Sequence, residues 1–155
     1  MSDPFSDGRQ SSTALFIARG VRRLLRAHGF SSLTELPLID GKRADVVAIN
    51  GEGAVLIVEI KSSIADFRAD HKWRDYVLQC DRLYFAISHE TPAAIIPLDA
   101  GLILADRHGA EFVREPEPRK LAPATRRAMM LRFALAAADR LHRLADPNGG
   151  MFEPL

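Results

Sequence analysis

The chain has one cysteine in 155 residues, Cys80, and neither paired cysteines nor a Cys/His cluster. The first absence excludes an internal disulfide and the second a structural zinc site, and both suit a reducing cytoplasm. No apolar run is long enough to span a bilayer, and the start, Met1-Ser2-Asp3-Pro4-Phe5-Ser6-Asp7-Gly8, lacks the basic-then-apolar plan of a signal peptide. A soluble, intracellular protein without membrane contact is therefore expected. No internal repeat, low-complexity linker or base-reading motif stands out. What is present is ordinary for a globular protein, 47% hydrophobic and 26% charged, with length for about one domain and a sizeable core. The expected layout is a flexible N-terminus over residues 1–12, a single domain over 13–146 and a C-terminal tail over 147–155.

Against that background, charge inside an apolar run is informative. The segment Val55-Leu56-Ile57-Val58-Glu59-Ile60-Lys61 reads as a buried strand, where unpaired charge is expensive. With side chains alternating at period two, Glu59 and Lys61 share one face while Leu56, Val58 and Ile60 share the other. The preceding strand, Arg43 to Ile49, is joined to it through Asn50-Gly51-Glu52-Gly53, a turn-forming sequence, so the pair is expected as a β-hairpin. Pairing can bring Asp45 beside Glu59. Two converging carboxylates with an ammonium nearby suit a hard divalent cation such as magnesium, which keeps several waters. A metal held there can polarise a phosphoryl oxygen and activate water, with Lys61 orienting that water. The chemistry indicated is phosphodiester hydrolysis; the alternative is a buried Asp45–Lys61 or Glu59–Lys61 ion pair without a catalytic task.

The net charge of +1 is unevenly placed: residues 35–117 carry −6, residues 1–34 carry +3 and residues 118–155 carry +4. Each basic flank reads as a helix. In the first, Arg19, Arg22, Arg23 and Arg26 fall at i, i+3, i+4 and i+7, opposite Leu15, Ile17, Val21, Leu24 and Leu25. That stripe can track phosphates, or be simply a solvated face. In the second, Arg126, Arg127, Arg132, Arg140 and Arg143 oppose Met129, Met130, Leu131, Phe133, Leu135, Leu141 and Leu144, between Pro123 and Pro147-Asn148-Gly149-Gly150. Packing on a sheet is its expected role.

Between the flanks, Ser32–Ile39 reads as an edge strand. Ser63 with Asp66 resembles a capping box that starts a helix after Lys61, and Arg82–Ile87 reads as a further buried strand. A helix between two buried strands marks a parallel crossover. Gly101–Ala105 and Ala110–Arg114 flank Asp106-Arg107-His108-Gly109 as a terminal hairpin. The pattern predicts one α/β domain, a mixed sheet between helices. Asp66 and Asp70 are expected to cap and pair rather than face the site, and Trp73 and Tyr76 to close the core rather than stack on bases. His71, His89 and His108 lack metal-ligand spacing.

These residues resemble the PD-(D/E)XK nuclease superfamily, through Asp45 and Glu59-Ile60-Lys61. A longer set, Gly41-Lys42-Arg43-Ala44-Asp45-Val46, Val58-Glu59-Ile60-Lys61-Ser62-Ser63, Asp66-Phe67-Arg68-Ala69-Asp70, Lys72-Trp73, Tyr76, Cys80-Asp81 and Tyr84-Phe85-Ala86, resembles the MmcB family of DNA-repair endonucleases over most of the chain. The resemblance implies a restriction-endonuclease-like α/β fold with a mixed sheet flanked by helices. It implies magnesium, or manganese in its place, on Asp45, Glu59 and the backbone carbonyl of Ile60, with Lys61 assisting the attacking water. Ala44 stands where the superfamily has its proline, a position that supplies no ligand. A third acid often joins such sites; Glu35 is the candidate, the alternative being a solvated acid at a strand end. Gln79 resembles a glutamine that some of these nucleases carry after the E-x-K helix.

The expected function is thus a metal-dependent DNA endonuclease in repair, with Arg19, Arg22, Arg23, Arg26 and Arg43 on the DNA backbone. The alternatives are a non-cutting module that binds branched or damaged DNA or a repair partner, and a nuclease acting on RNA. The expected location is the cytoplasm, with the nucleoid when on DNA.

Overall fold

Ser11 accepts the Ala14 N–H on its Oγ at 3.2 Å, which caps helix α1 (Ser12–Ala27). The computed structural model describes residues 11–69 and 73–148; residues 1–10 of the expected flexible N-terminus, residues 149–155 of the tail, and Asp70, His71 and Lys72 lie outside the described residues. Six strands follow in one sheet whose spatial order is the chain order: β1 (Phe30–Pro37), β2 (Arg43–Asn50), β3 (Val55–Ile60), β4 (Arg82–Ile87), β5 (Gly101–Ala105) and β6 (Ala110–Arg114). β1, β2 and β3 are antiparallel, β3, β4 and β5 are parallel, and β5 and β6 close as an antiparallel hairpin. The sheet is mixed, and the α/β restriction-endonuclease-like class expected from the sequence is the class observed.

Local chemistry sets the connections. Asn50 Oδ1 accepts the Glu52 and Ala54 N–H groups at 3.0 and 2.9 Å, and Gly53 takes φ +83°, so the β2–β3 turn forms from the residues that favour it. After β3, Ser63 Oγ accepts the Asp66 N–H at 3.0 Å while the Asp66 carboxylate accepts from Ser62 N–H at 3.2 Å. This reciprocal cap starts α2 (Ile64–Ala69), and with α3 (Trp73–Val77) it forms the crossover that returns the chain parallel to β3.

Each sheet face has its own core. On one, Ile17, Val21 and Leu25 of α1 pack against Val46, Ala48, Leu56, Val58, Tyr84 and Ile103. On the other, Val47, Val55, Ile57, Phe85 and Leu102 lie under Trp73, Tyr76 and the long helix α4 (Pro123–Ala145), which contributes Met129 and Phe133. Full burial of each large side chain contributes about 1.5–3 kcal/mol. Trp73 and Tyr76 are buried, with Trp73 edge-on to Phe85 at 5.6 Å, as the core expectation requires. Gly101 allows the closest approach within the sheet, since a Cβ there would enter the Tyr84 ring.

The pattern in α4 differs from expectation. Leu131, Leu135, Leu141 and Leu144 are exposed, whereas Arg126 and Arg140 turn inward. The reason is length. At 1.5 Å per residue the helix runs about 35 Å, but strands of five to eight residues cover only about 17–27 Å. Its last turns overhang the sheet, and Leu131 and Leu135 lie on the side opposite Met129 and Phe133.

Candidate active site

The register of the β2–β3 hairpin builds the site. Val46 pairs with Val58, and the next position toward the open end sets Asp45 opposite Glu59. The Ile60 N–H donates to Asp45 Oδ2 at 2.8 Å, and the Asp45 N–H approaches Glu59 Oε1 at 3.4 Å, so each carboxylate leans on the backbone of the facing strand. Lys61 follows at the end of β3, where its N–H donates to the Ala86 carbonyl of β4 at 3.0 Å. Glu59 is 4% and Lys61 7% exposed. The sequence expectation that Asp45, Glu59 and Lys61 meet at one end of a hairpin is met by this register.

Burial pushes the Glu59 carboxyl well above its usual value, the adjacent Asp45 pushes it further, and Lys61 only partly opposes them. The local charge is therefore undercompensated on the negative side. A divalent cation would relieve it, and two carboxylates suit magnesium, which keeps several waters. Among the described residues no group of three or more His, Cys, Asp and Glu side chains is gathered as a metal cluster. Of the residues expected to hold a metal, the structure brings together Asp45 and Glu59, next to Ile60.

Glu35 lies in line with this pair, since Thr34 and Leu36 pair with Val46 and Ala44 on either side of Asp45. Its carboxylate, however, is 3.8 Å from the Arg43 guanidinium. Its backbone takes φ +50°, unusual for a residue with a side chain, and Arg140 of α4 braces that turn by donating to the Thr34 and Glu35 carbonyls at 2.6 and 3.1 Å. Nothing in the sequence signals this brace, which joins residues more than a hundred positions apart. Arg43 also offers its carbonyl to the Tyr76 hydroxyl at 3.1 Å. Gln79 donates to Asp40 at 3.1 Å and so braces the β1–β2 turn.

The arginine stripe lies elsewhere. Asp45 and Glu59 share strand parity with Val47 and Ile57, on the face covered by α3 and α4. α1 covers the other face, and Arg19, Arg22, Arg23 and Arg26 are exposed on its outer side. The acids and the stripe are on opposite sides of the sheet.

A second, part-buried acid sits at the far end of β3 and β4. The Asp81 carboxylate accepts the Val55 and Leu121 N–H groups at 2.8 and 2.9 Å and a two-pronged contact from Arg126 at 2.6 and 2.7 Å. Burial alone would raise this carboxyl, but the guanidinium and the two amides bring it down to about 2. Cys80, beside it, is buried and its thiol is pushed up to about 12 by that burial, which leaves it inert as a nucleophile.

A family model described as DNA repair protein MmcB-like matches residues 1–148. The chain belongs to the MmcB-like family. Among solved structures, this MmcB-like chain is similar to the SPO1766 protein of unknown function from Silicibacter pomeroyi, with 45% identity, 93% of this chain and 99% of that chain covered, and a TM-score of 0.86. A repair endonuclease from Pyrococcus abyssi aligns at 15% identity over 51% of this chain and 38% of its own, with a TM-score of 0.35, too slight to bear on function. Comparison with the curated proteins found no match. No helix among the described residues is long and apolar enough to cross a membrane.

Proposed function

We propose that the protein is a metal-dependent DNA endonuclease acting in DNA repair, in the cytoplasm where the nucleoid lies. The observation that carries this reading is the Asp45–Glu59 pair, with Glu59 buried beside Lys61 and a mutual repulsion that Lys61 offsets only in part. Membership of the MmcB-like family supports DNA repair as the setting.

Asp45, Glu59 and the Ile60 carbonyl would hold magnesium or manganese. Such a cation supplies Lewis acidity toward a phosphoryl oxygen and lowers the pKa of water. Lys61, buried at the same strand end, orients the attacking water and offsets the negative charge that grows on the phosphate. Arg43, at the start of β2, contacts the backbone beside the scissile bond. Glu35 serves as an outer acid whose position is fixed by Arg140. Desolvation around Glu59 and Lys61 strengthens each of these interactions relative to water.

A second reading, a non-cutting module that binds branched or damaged DNA or a repair partner, is favoured by one observation: Glu35 is turned to Arg43 and not gathered with the acid pair. Incubation of labelled nicked, branched, single-stranded and damaged DNAs with magnesium or manganese separates the two. Cleavage by the native protein that falls at least a thousandfold in Asp45→Ala and Lys61→Ala, with DNA affinity within threefold of native, supports the nuclease. Binding without any product in the native protein leaves the module, and equal cleavage by both variants removes these residues from the chemistry.

A further inference from the structure

The outward side of α1 gathers four arginines on one helix face, with no counter-charge among the described residues. Several arginines elsewhere are ion-paired: Arg43 with Glu35, Arg82 with Glu115, Arg126 with Asp81, Arg143 with Asp139. Among the described residues, Arg19, Arg22, Arg23 and Arg26 face no carboxylate, although all four share one helix face. Leaving several like charges together without partners costs self-repulsion, which an arriving polyanion relieves.

The surface is also shaped. Arg22, Arg23 and Arg26 line a groove of about 490 Å³ with Phe30, Ser31 and Ser32 at the start of β1. Arg22 is fixed there, its Nε donating to Ser32 Oγ and its Nη2 to the Ser32 carbonyl, both at 3.0 Å. A guanidinium has five N–H donors, so those left over remain for a ligand while the side chain is already ordered. Guanidinium forks and hydroxyls are the donors that phosphodiester oxygens accept.

Position separates this groove from the acid pair. Ser32 pairs with Ala48, three residues along β2 from Asp45, which at about 3.3 Å per residue is about 10 Å. The groove lies outside α1 on one side of the sheet, whereas Asp45 and Glu59 belong to the side under α3 and α4. A phosphate at one cannot touch the other.

We propose that the α1–β1 groove is a second docking surface for nucleic-acid backbone, which holds an arm of DNA other than the strand presented to Asp45 and Glu59. This rests on the reading of the protein as a DNA nuclease. Two docking surfaces on opposite faces match a branched substrate, whose arms diverge, better than a straight duplex.

The test compares the native protein with Arg22→Gln/Arg23→Gln/Arg26→Gln, and with Arg23→Glu/Arg26→Glu, which keeps the Arg22–Ser32 contact. Fluorescence anisotropy in calcium measures affinity for a three-way junction, a flap with a single-stranded arm and a 10-base-pair duplex, and magnesium-dependent cleavage of that short duplex is followed separately. Both variants are expected to bind the junction or the flap at least tenfold more weakly, and the triple variant to lose about three units of salt dependence. Cleavage of the short duplex is expected to stay within threefold of native. The junction and flap arms tell whether the bound segment is duplex or single strand. Unchanged affinity for every DNA would overturn the groove, as would binding of an acidic peptide lost with the arginines while DNA affinity persists. Parallel loss of short-duplex cleavage would instead place the arginines on the strand being cut. If the native protein cuts nothing yet binds through these arginines, the groove stands and the nuclease reading fails.

Discussion

The two ends of the parallel pair β3 and β4 each carry an acid, one part-buried and one buried, and the acids are treated in opposite ways. At one end Asp81 is surrounded by Arg126 and two backbone amides, and its carboxyl is drawn down to about 2. At the other, Glu59 is set against Asp45, and burial with that like charge pushes its carboxyl well up. Four residues along a strand, about 13 Å, separate a charge whose partners are all in the chain from one whose compensation is incomplete. The first arrangement ties the β2–β3 turn, the start of β4 and α4 together, since Arg126 also donates to the Gly53 carbonyl at 2.7 Å. The second costs the fold stability, which fits the proposed metal site.

The contrast predicts effects of different size and sign. Arg126→Ala leaves the Asp81 carboxylate without its guanidinium, and urea denaturation is expected to show a loss of about 3 kcal/mol. Acid gives the next largest effect. Asp81 is depressed in the fold, so its contribution is complete above its unfolded value of 3.8 and disappears as pH falls toward 2. The native protein is expected to lose about 2 kcal/mol across that window, and Asp81→Asn, already destabilised, to lose correspondingly less. Glu59→Gln has the opposite sign. Glu59 holds its proton more tightly folded than unfolded, so the metal-free fold weakens as pH rises from the unfolded value of 4.5 through the raised one. The Gln variant escapes this, and a gain of about 1 kcal/mol at pH 8 is expected in thermal unfolding without metal, together with loss of cleavage. Arg23→Ala, on the unpaired stripe, is expected to shift stability by no more than about 0.5 kcal/mol. A loss there as large as that of Arg126→Ala would erase the distinction between paired and unpaired arginines.

Much of this was legible in the residues. Period-two alternation and the Asn50–Gly53 turn placed Asp45, Glu59 and Lys61 on one hairpin, because register follows from turn and pattern. The Ser63–Asp66 cap and the buried run Arg82–Ile87 likewise gave the parallel crossover. Long-range roles were hidden. Arg126 and Arg140 look like members of an exposed stripe, and only the packing of α4 shows one reaching Asp81 and the other bracing the left-handed turn at Glu35. The side of the sheet on which α1 lies was equally unreadable, since an amphipathic helix declares that it packs but not on which face. For that reason the residues alone do not tell that the arginine stripe lies across the sheet from the acids. Leu141 and Leu144 misled in the same way: apolar periodicity does not reveal that a helix outruns the sheet it covers.

The most direct measurement is manganese binding, followed by loss of the free-ion electron paramagnetic resonance signal, on the native protein and on Asp45→Asn/Glu59→Gln with the fold checked by circular dichroism. The account predicts that the native chain takes up manganese at this site and that the double variant, folded, does not. Equal uptake by both proteins would contradict it.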